Sequence, residues 1–236
     1  MGTKLAVILA LCGLVSGLLT AFLMYPQEEA GLFCGATFGV FLAVPLLLTG
    51  LLSNPLKAFG LIGLCVVAYF CSYMAGFGFQ LHHPEFVAEG ERWSMGTKEP
   101  PGPAGLLVGG LVGGFLVFYS VMFLCLTAGR KTLRRKALQG TLLGGALGVA
   151  GWALRSSVGV ALWHLFHALK AVPFWERSPE EWFGGKLDYG ELARMYSVYV
   201  VWQTGVAAAV GWMLRREPIR PTRQGGLITY LSLRGQ

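Results

Sequence analysis

The stretch 104-AGLLVGGLVGGFLVFYSVMFLCLTA-128 decides the fold. It carries no charged residue, and 130-RKTLRRK-136 follows it after a single glycine. A helix crosses a hydrocarbon core of about 30 Å with about 20 apolar residues. Inside lipid only helices and closed barrels satisfy their own backbone, and barrel strands alternate apolar with polar residues. This run is continuous, so it reads as a transmembrane helix that stops at a basic cluster.

Working outward, five more runs have the same character: Leu5–Met24, Leu32–Leu52, Ala58–Phe79, Ala137–Leu154 and Met195–Leu214. They predict an all-α, polytopic integral membrane protein with six transmembrane helices. Residues 1–214 form a single helical domain, and 215–236 form a short basic cytoplasmic tail. Composition agrees. Of 236 residues 54% are hydrophobic and 13% charged, whereas soluble domains carry about 25% charged residues. Disorder is excluded by the apolar content. Collagen is excluded because the 34 glycines have no three-residue period.

The first run reads as a mature helix. It is longer than the 7–15-residue apolar core usual in a signal peptide, and no small-x-small site follows it. The bulky residue before Cys12 makes a poor lipoprotein site, and position 6 lacks the Ser or Thr of a myristoylation signal.

Charge sets the threading. With six helices, Lys4, Lys57, the 130–136 cluster and the tail arginines share one side, 12 of the 19 basic residues. The other side receives 11 of the 12 acidic residues. Basic residues near helix ends stay inside, so both termini are expected in the cytoplasm, in a plasma membrane of bacterial type. The net charge of +7 belongs to this inner face. No separate basic domain exists to bind nucleic acid.

Residues 158–172 are apolar but too short to span. His164, His167 and Lys170 recur there every third residue. We expect one short helix lying in the outer interface, or re-entrant as the second choice. Phe174, Trp175, Trp182 and Phe183 suit an aromatic belt at the same boundary. Between helices three and four, Gln80–Pro103 is the longest polar stretch, so no soluble domain is expected. The glycine-rich starts after Leu11 and Leu107 are faintly alike, as in an inverted repeat of two three-helix halves.

Glycine recurs at spacings of four, in Gly105, Gly109 and Gly113, in Gly110 and Gly114, and in Gly140, Gly144 and Gly148, with shorter strips in helices one and two. Small residues every fourth position let helix backbones approach closely. Helices four and five are therefore expected to pack as a tight antiparallel hairpin. Cys12, Cys34, Cys65, Cys71 and Cys125 form no CxxC pair and read as small apolar residues.

The residues that can carry chemistry are few. His82, His83, His164 and His167 all fall on the outer side. His164 and His167 are an i, i+3 pair able to chelate a transition metal at the outer face, with His82, His83 or Glu85 to complete a shell. No histidine lies at mid-depth for haem. Arg155 stands near the outer end of helix five, able to snorkel or to pair, and borders the same polar site. Gln203 is a polar side chain inside helix six. No GxSxG, HExxH or Walker A pattern is present. Pro26-Gln27-Glu28-Glu29 with Phe33 is similar to the Pro-x-Glu-Glu motif of the bacterial lycopene cyclase family, whose carboxylates would protonate an olefin. The likeness covers only those residues and assigns no family. Ser178-Pro179-Glu180-Glu181 lacks the spacer of that motif and fits a helix start.

Three function classes follow. The first is a non-catalytic subunit or scaffold of a larger membrane assembly, associating with other membrane subunits or with itself. The second is a small permease or channel for a metal ion or small solute. The third is a membrane enzyme acting on a lipid or isoprenoid. A permease needs a polar interior, a scaffold a solid one, and an enzyme two carboxylates, or a carboxylate and a histidine, in one pocket.

Overall fold

The computed structural model describes residues 2–23, 30–83, 102–125, 130–173 and 189–215. Within them the chain forms six helices: α1 (Gly2–Leu23), α2 (Ala30–Leu48), α3 (Pro55–His82), α4 (Pro103–Cys125), α5 (Arg130–Ala168) and α6 (Tyr189–Arg215). No strand occurs among the described residues. Five helices are long and apolar enough to cross a membrane, and α2 contributes a shorter apolar segment, Leu32–Leu48. These are the proportions of an integral membrane protein. Pro26–Glu29, Glu85, Phe174–Phe183 and the tail beyond Arg215 lie outside the described residues.

Local chemistry sets the ends. α2 closes where the Thr49 hydroxyl donates to the Pro45 carbonyl (2.8 Å) and Gly50 takes a φ of 75° that other residues rarely adopt. α3 opens with Asn54, whose side-chain oxygen accepts from the Lys57 amide at 2.9 Å, followed by Pro55, whose missing N–H costs nothing in a first turn.

The largest departure from the sequence reading is α5. It runs unbroken for 39 residues, about 58 Å at 1.5 Å per residue. No separate short helix forms at 158–172, because residues 158–168 are the last turns of α5. Arg155, Ser156 and Ser157 have the polarity of a break, but none of them interrupts a helix. The stop comes later, where Lys170 adopts a φ of 49°. Its amide donates to the His167 carbonyl (3.0 Å) and the Ala171 amide to the Phe166 carbonyl (2.9 Å). That pair of bonds is a Schellman cap, with lysine in the place glycine usually holds.

Each helix packs on the next, and α6 returns to α1, so the six make a closed antiparallel ring. Glycine lines five of the six seams. A methyl group built on Gly17 would lie 2.6 Å from the Cα of Val200, and one on Gly211 2.6 Å from the Cα of Ala6. On Gly39 it would lie 2.8 Å from the Cα of Ile62, and on Gly159 2.9 Å from that of Arg194. On Gly76 it would lie 2.6 Å from the Gly105 oxygen, and on Gly114 2.9 Å from the Cα of Gly144. Only the α1–α2 seam has no glycine pressed across it among the described residues. Outward faces are apolar, with Val7, Leu11, Val40, Val44, Phe59 and Leu142 exposed as lipid contact requires.

Candidate functional site

The interior of the ring is built mainly from α2, α3 and α6. Phe38 meets Tyr69 at 6.0 Å and Trp202 at 5.9 Å between ring centroids. Tyr69 stands edge-on to Trp202 at 5.5 Å and stacks on Tyr199 at 6.3 Å. The Trp202 ring nitrogen donates to the Gly144 carbonyl at 3.2 Å, which ties this cluster to α5. Three buried rings, Phe38, Tyr69 and Trp202, thus cluster where three helices converge, with the partly buried Tyr199 stacked at their edge.

Beside the rings runs a patch of uncharged polar groups. Gln203 is fully buried and donates from Nε2 to the Thr20 hydroxyl at 3.1 Å. Ser16 lies one turn before Thr20 on the same interior face of α1 and is equally buried. On the other flank the Tyr69 hydroxyl lies within hydrogen-bonding reach of the Gln203 side chain. Ser72 donates to the Gly109 carbonyl at 2.6 Å and pins α3 to α4. Of the sites expected from sequence, only Gln203 belongs to this patch. Ser16, Thr20, Tyr69 and Trp202 are not among them. The readable signal was Ser16 with Thr20, an i, i+4 hydroxyl pair inside an otherwise apolar run.

The glycine strips divide differently from the simplest reading. Gly105, Gly109 and Gly113 turn to α3, where Ser72 and Gly76 press against them. Gly110 and Gly114 meet Gly140 and Gly144, and Gly148 meets the Leu106 carbonyl, along the α4–α5 seam. One residue along a helix is a turn of about 100°, so adjacent glycines serve two neighbours of the ring.

The groups expected at the outer face stay apart. Arg155 is half-buried, with its guanidinium 4.0 Å over the Trp152 ring and donating to the Trp152 carbonyl at 3.0 Å. Its own carbonyl accepts from the Ser197 hydroxyl at 3.2 Å, so the backbone here joins α5 to α6. His83, His164 and His167 are exposed. His83 packs on Phe79 at 4.7 Å, and His167 packs on Trp163 at 4.1 Å with Nδ1 2.9 Å from the Trp163 carbonyl. His82 and His83 end α3, which α4 separates from α5 in the ring. Among the described residues no three His, Cys, Asp or Glu side chains come together as a metal site would need. The five cysteines are free, Cys34 and Cys65 buried among the core residues.

At the opposite end two lysines cap helices. Lys136 is buried and its ammonium donates to the Met213 carbonyl at 3.1 Å, while that of Lys57 reaches the Leu124 carbonyl at 3.4 Å. A cation at a helix C-terminus meets the negative end of its dipole and fills carbonyls left without an intrahelical donor. Comparison with known protein families, curated proteins and solved structures finds no match for this chain.

Proposed function

We propose that the chain is a non-catalytic, multi-pass subunit or scaffold of a larger membrane assembly. The observation that carries this reading is the aromatic cluster of the interior: the buried rings of Phe38, Tyr69 and Trp202 pack together between α2, α3 and α6, where a permease would keep a polar path. The length of α5 supports it. About 30 Å of its length spans hydrocarbon, so the remainder stands clear of the bilayer core. At the outer end that overhang exposes Val160, Leu165 and Leu169, an apolar surface suited to a neighbouring subunit.

In this reading all six helices cross, α2 being near the short limit of about 17 residues. Both termini face the cytoplasm of a bacterial-type plasma membrane. Support comes from the clustering of Lys57 and Lys136 with Lys4, Lys131, Arg134 and Arg135 at one end of the ring. Native mass spectrometry after extraction in mild detergent tests the proposal. The expected result is a complex heavier than the 25.5 kDa chain, holding further copies or a second polypeptide. Protein that travels alone at 25.5 kDa refutes it.

One observation favours a permease for a small solute as the second reading: the buried hydroxyl and amide groups of Ser16, Thr20, Thr37, Tyr69 and Gln203. Solute flux into proteoliposomes that is lost in Gln203→Leu would move the assignment there.

A further inference from the structure

The first turns of α5 carry positive charge at the end of a helix that disfavours it. Lys131, Arg134 and Arg135 are exposed there, at spacings of three and four that set like charges side by side. A helix N-terminus is itself positive, through its dipole and its free amide groups, and the first turn of α5 holds no acidic residue. Lys136, next to them in sequence, turns inward to the Met213 carbonyl at 3.1 Å. Glu191 is the only acidic residue among the described residues, and it stands in the first turn of α6, at the opposite end of the ring. Leu138 and Leu142, 61% and 63% exposed, continue the same stripe of α5. These five residues lie within about 100° of one another around the helix and over roughly 16 Å of its length. One face of α5 thus joins three cations, with no facing acid among the described residues, to an apolar strip.

We infer that this face binds one acidic phospholipid, its phosphate held by Lys131, Arg134 and Arg135 and an acyl chain lying along Leu138 and Leu142. The charge pattern defines the class. An anion relieves the repulsion among the three cations and also meets the positive end of α5. The two guanidinium forks match phosphate oxygens, which accept paired N–H bonds. A zwitterionic lipid brings a cation of its own, for which the described residues at this end offer no carboxylate. The apolar continuation favours a lipid over free phosphate or an acidic peptide, because in a lipid the headgroup and the chain belong to one molecule. The site serves on either side of a membrane and in a chain that travels alone, so its test is separate from that of the scaffold reading and of the threading.

The test is thermal unfolding of the full chain in a neutral maltoside detergent, with phosphatidylglycerol or phosphatidylcholine added to the micelles. Phosphatidylglycerol at about ten times its Kd should raise the Tm by about 3–6 °C, and phosphatidylcholine should not. The triple variant Lys131→Gln, Arg134→Gln, Arg135→Gln should bind on the order of a hundredfold more weakly and lose that rise. The variant Arg220→Gln, Arg223→Gln, Arg234→Gln removes the same charge from the tail and should keep it. Should the α5 triple variant not fold, Arg134→Gln, Arg135→Gln takes its place under the same criterion. No rise, an equal rise with phosphatidylcholine, or a rise that the α5 variant keeps overturns the inference. A rise lost equally in the tail variant also overturns it, because net charge alone is then the cause. An equal rise with inorganic phosphate would make this a site for a free anion, and one with a glutamate-rich peptide a contact for an acidic protein segment; either result overturns the lipid assignment.

Discussion

The α4–α5 seam makes the sharpest stability prediction. A methyl group at Gly144 would stand 2.7 Å from the Cα of Gly114 and closer still to the Gly110 carbonyl oxygen. Carbon atoms rest about 3.5–4.0 Å apart, so Gly144→Ala must push two backbones apart by about 1 Å. Neither obstacle is a flexible side chain. Overpacking of this kind costs about 1–3 kcal/mol, and the shift also stretches the 3.2 Å bond from Trp202 to the Gly144 carbonyl. Gly63 on α3 is the control, since a methyl group there would meet nothing within 4 Å. At that position Gly→Ala stabilises by about 0.5–1 kcal/mol through backbone entropy alone. The two substitutions are chemically identical and should have opposite signs. For a chain of this length 1 kcal/mol moves the Tm by about 2–4 °C. Thermal unfolding in one detergent should separate the variants by roughly 3–16 °C. Equal melting of Gly144→Ala and Gly63→Ala would show that the glycine seam is not a close contact.

Three further outcomes are expected. Lys170→Gly should stabilise by about 1 kcal/mol in thermal unfolding, because lysine holds a left-handed φ of 49° in the α5 cap; a loss of stability would mean that this cap does not form. A cysteine placed at Arg134, in a background without native cysteines, should react with membrane-impermeant reagent only from the cytoplasmic side, and labelling from outside sinks the orientation. The His164→Ala, His167→Ala double variant should keep the parent's metal content and melt within about 0.5 kcal/mol of it, since both rings are exposed. Loss of a stoichiometric metal would show that the histidines converge after all.

The helices were legible because lipid imposes a length and a composition that each apolar run displays. The end of α5 was not. Arg155, Ser156 and Ser157 look like a boundary when polarity is taken as the signal, but a helix ends on backbone chemistry, and neither Pro nor a left-handed residue occurs in α5 before Lys170. The glycine strips were legible as contact surfaces, while their partners were not. Spacing of four says that 105, 109 and 113 share a face, but which neighbour that face meets depends on the order of helices around the ring.

The interior patch illustrates a different limit. Charged and metal-ligating side chains stand out in an apolar sequence, which is why Arg155 and the histidines are its conspicuous candidates. Those groups have their own local company: Trp152 under the guanidinium, Phe79 and Trp163 against two of the rings. An ionisable side chain at a membrane edge can reach water, and its placement there is cheap. Ser16, Tyr69 and Gln203 have no such outlet. Their hydrogen bonds must be made in the core, so modest neutral residues at that depth constrain the fold more tightly than the conspicuous charges at its rim. In a ring closed by glycine seams, Gln203 on α6 can reach Thr20 on α1 and Tyr69 on α3 only if α6 holds its register against both. The glycine contacts of Gly13 and Gly17 with the 200–207 stretch of α6 fix that register on the α1 side. Packing strip and polar patch are thus parts of one arrangement: close backbones set the register, and the register brings Gln203 to Thr20.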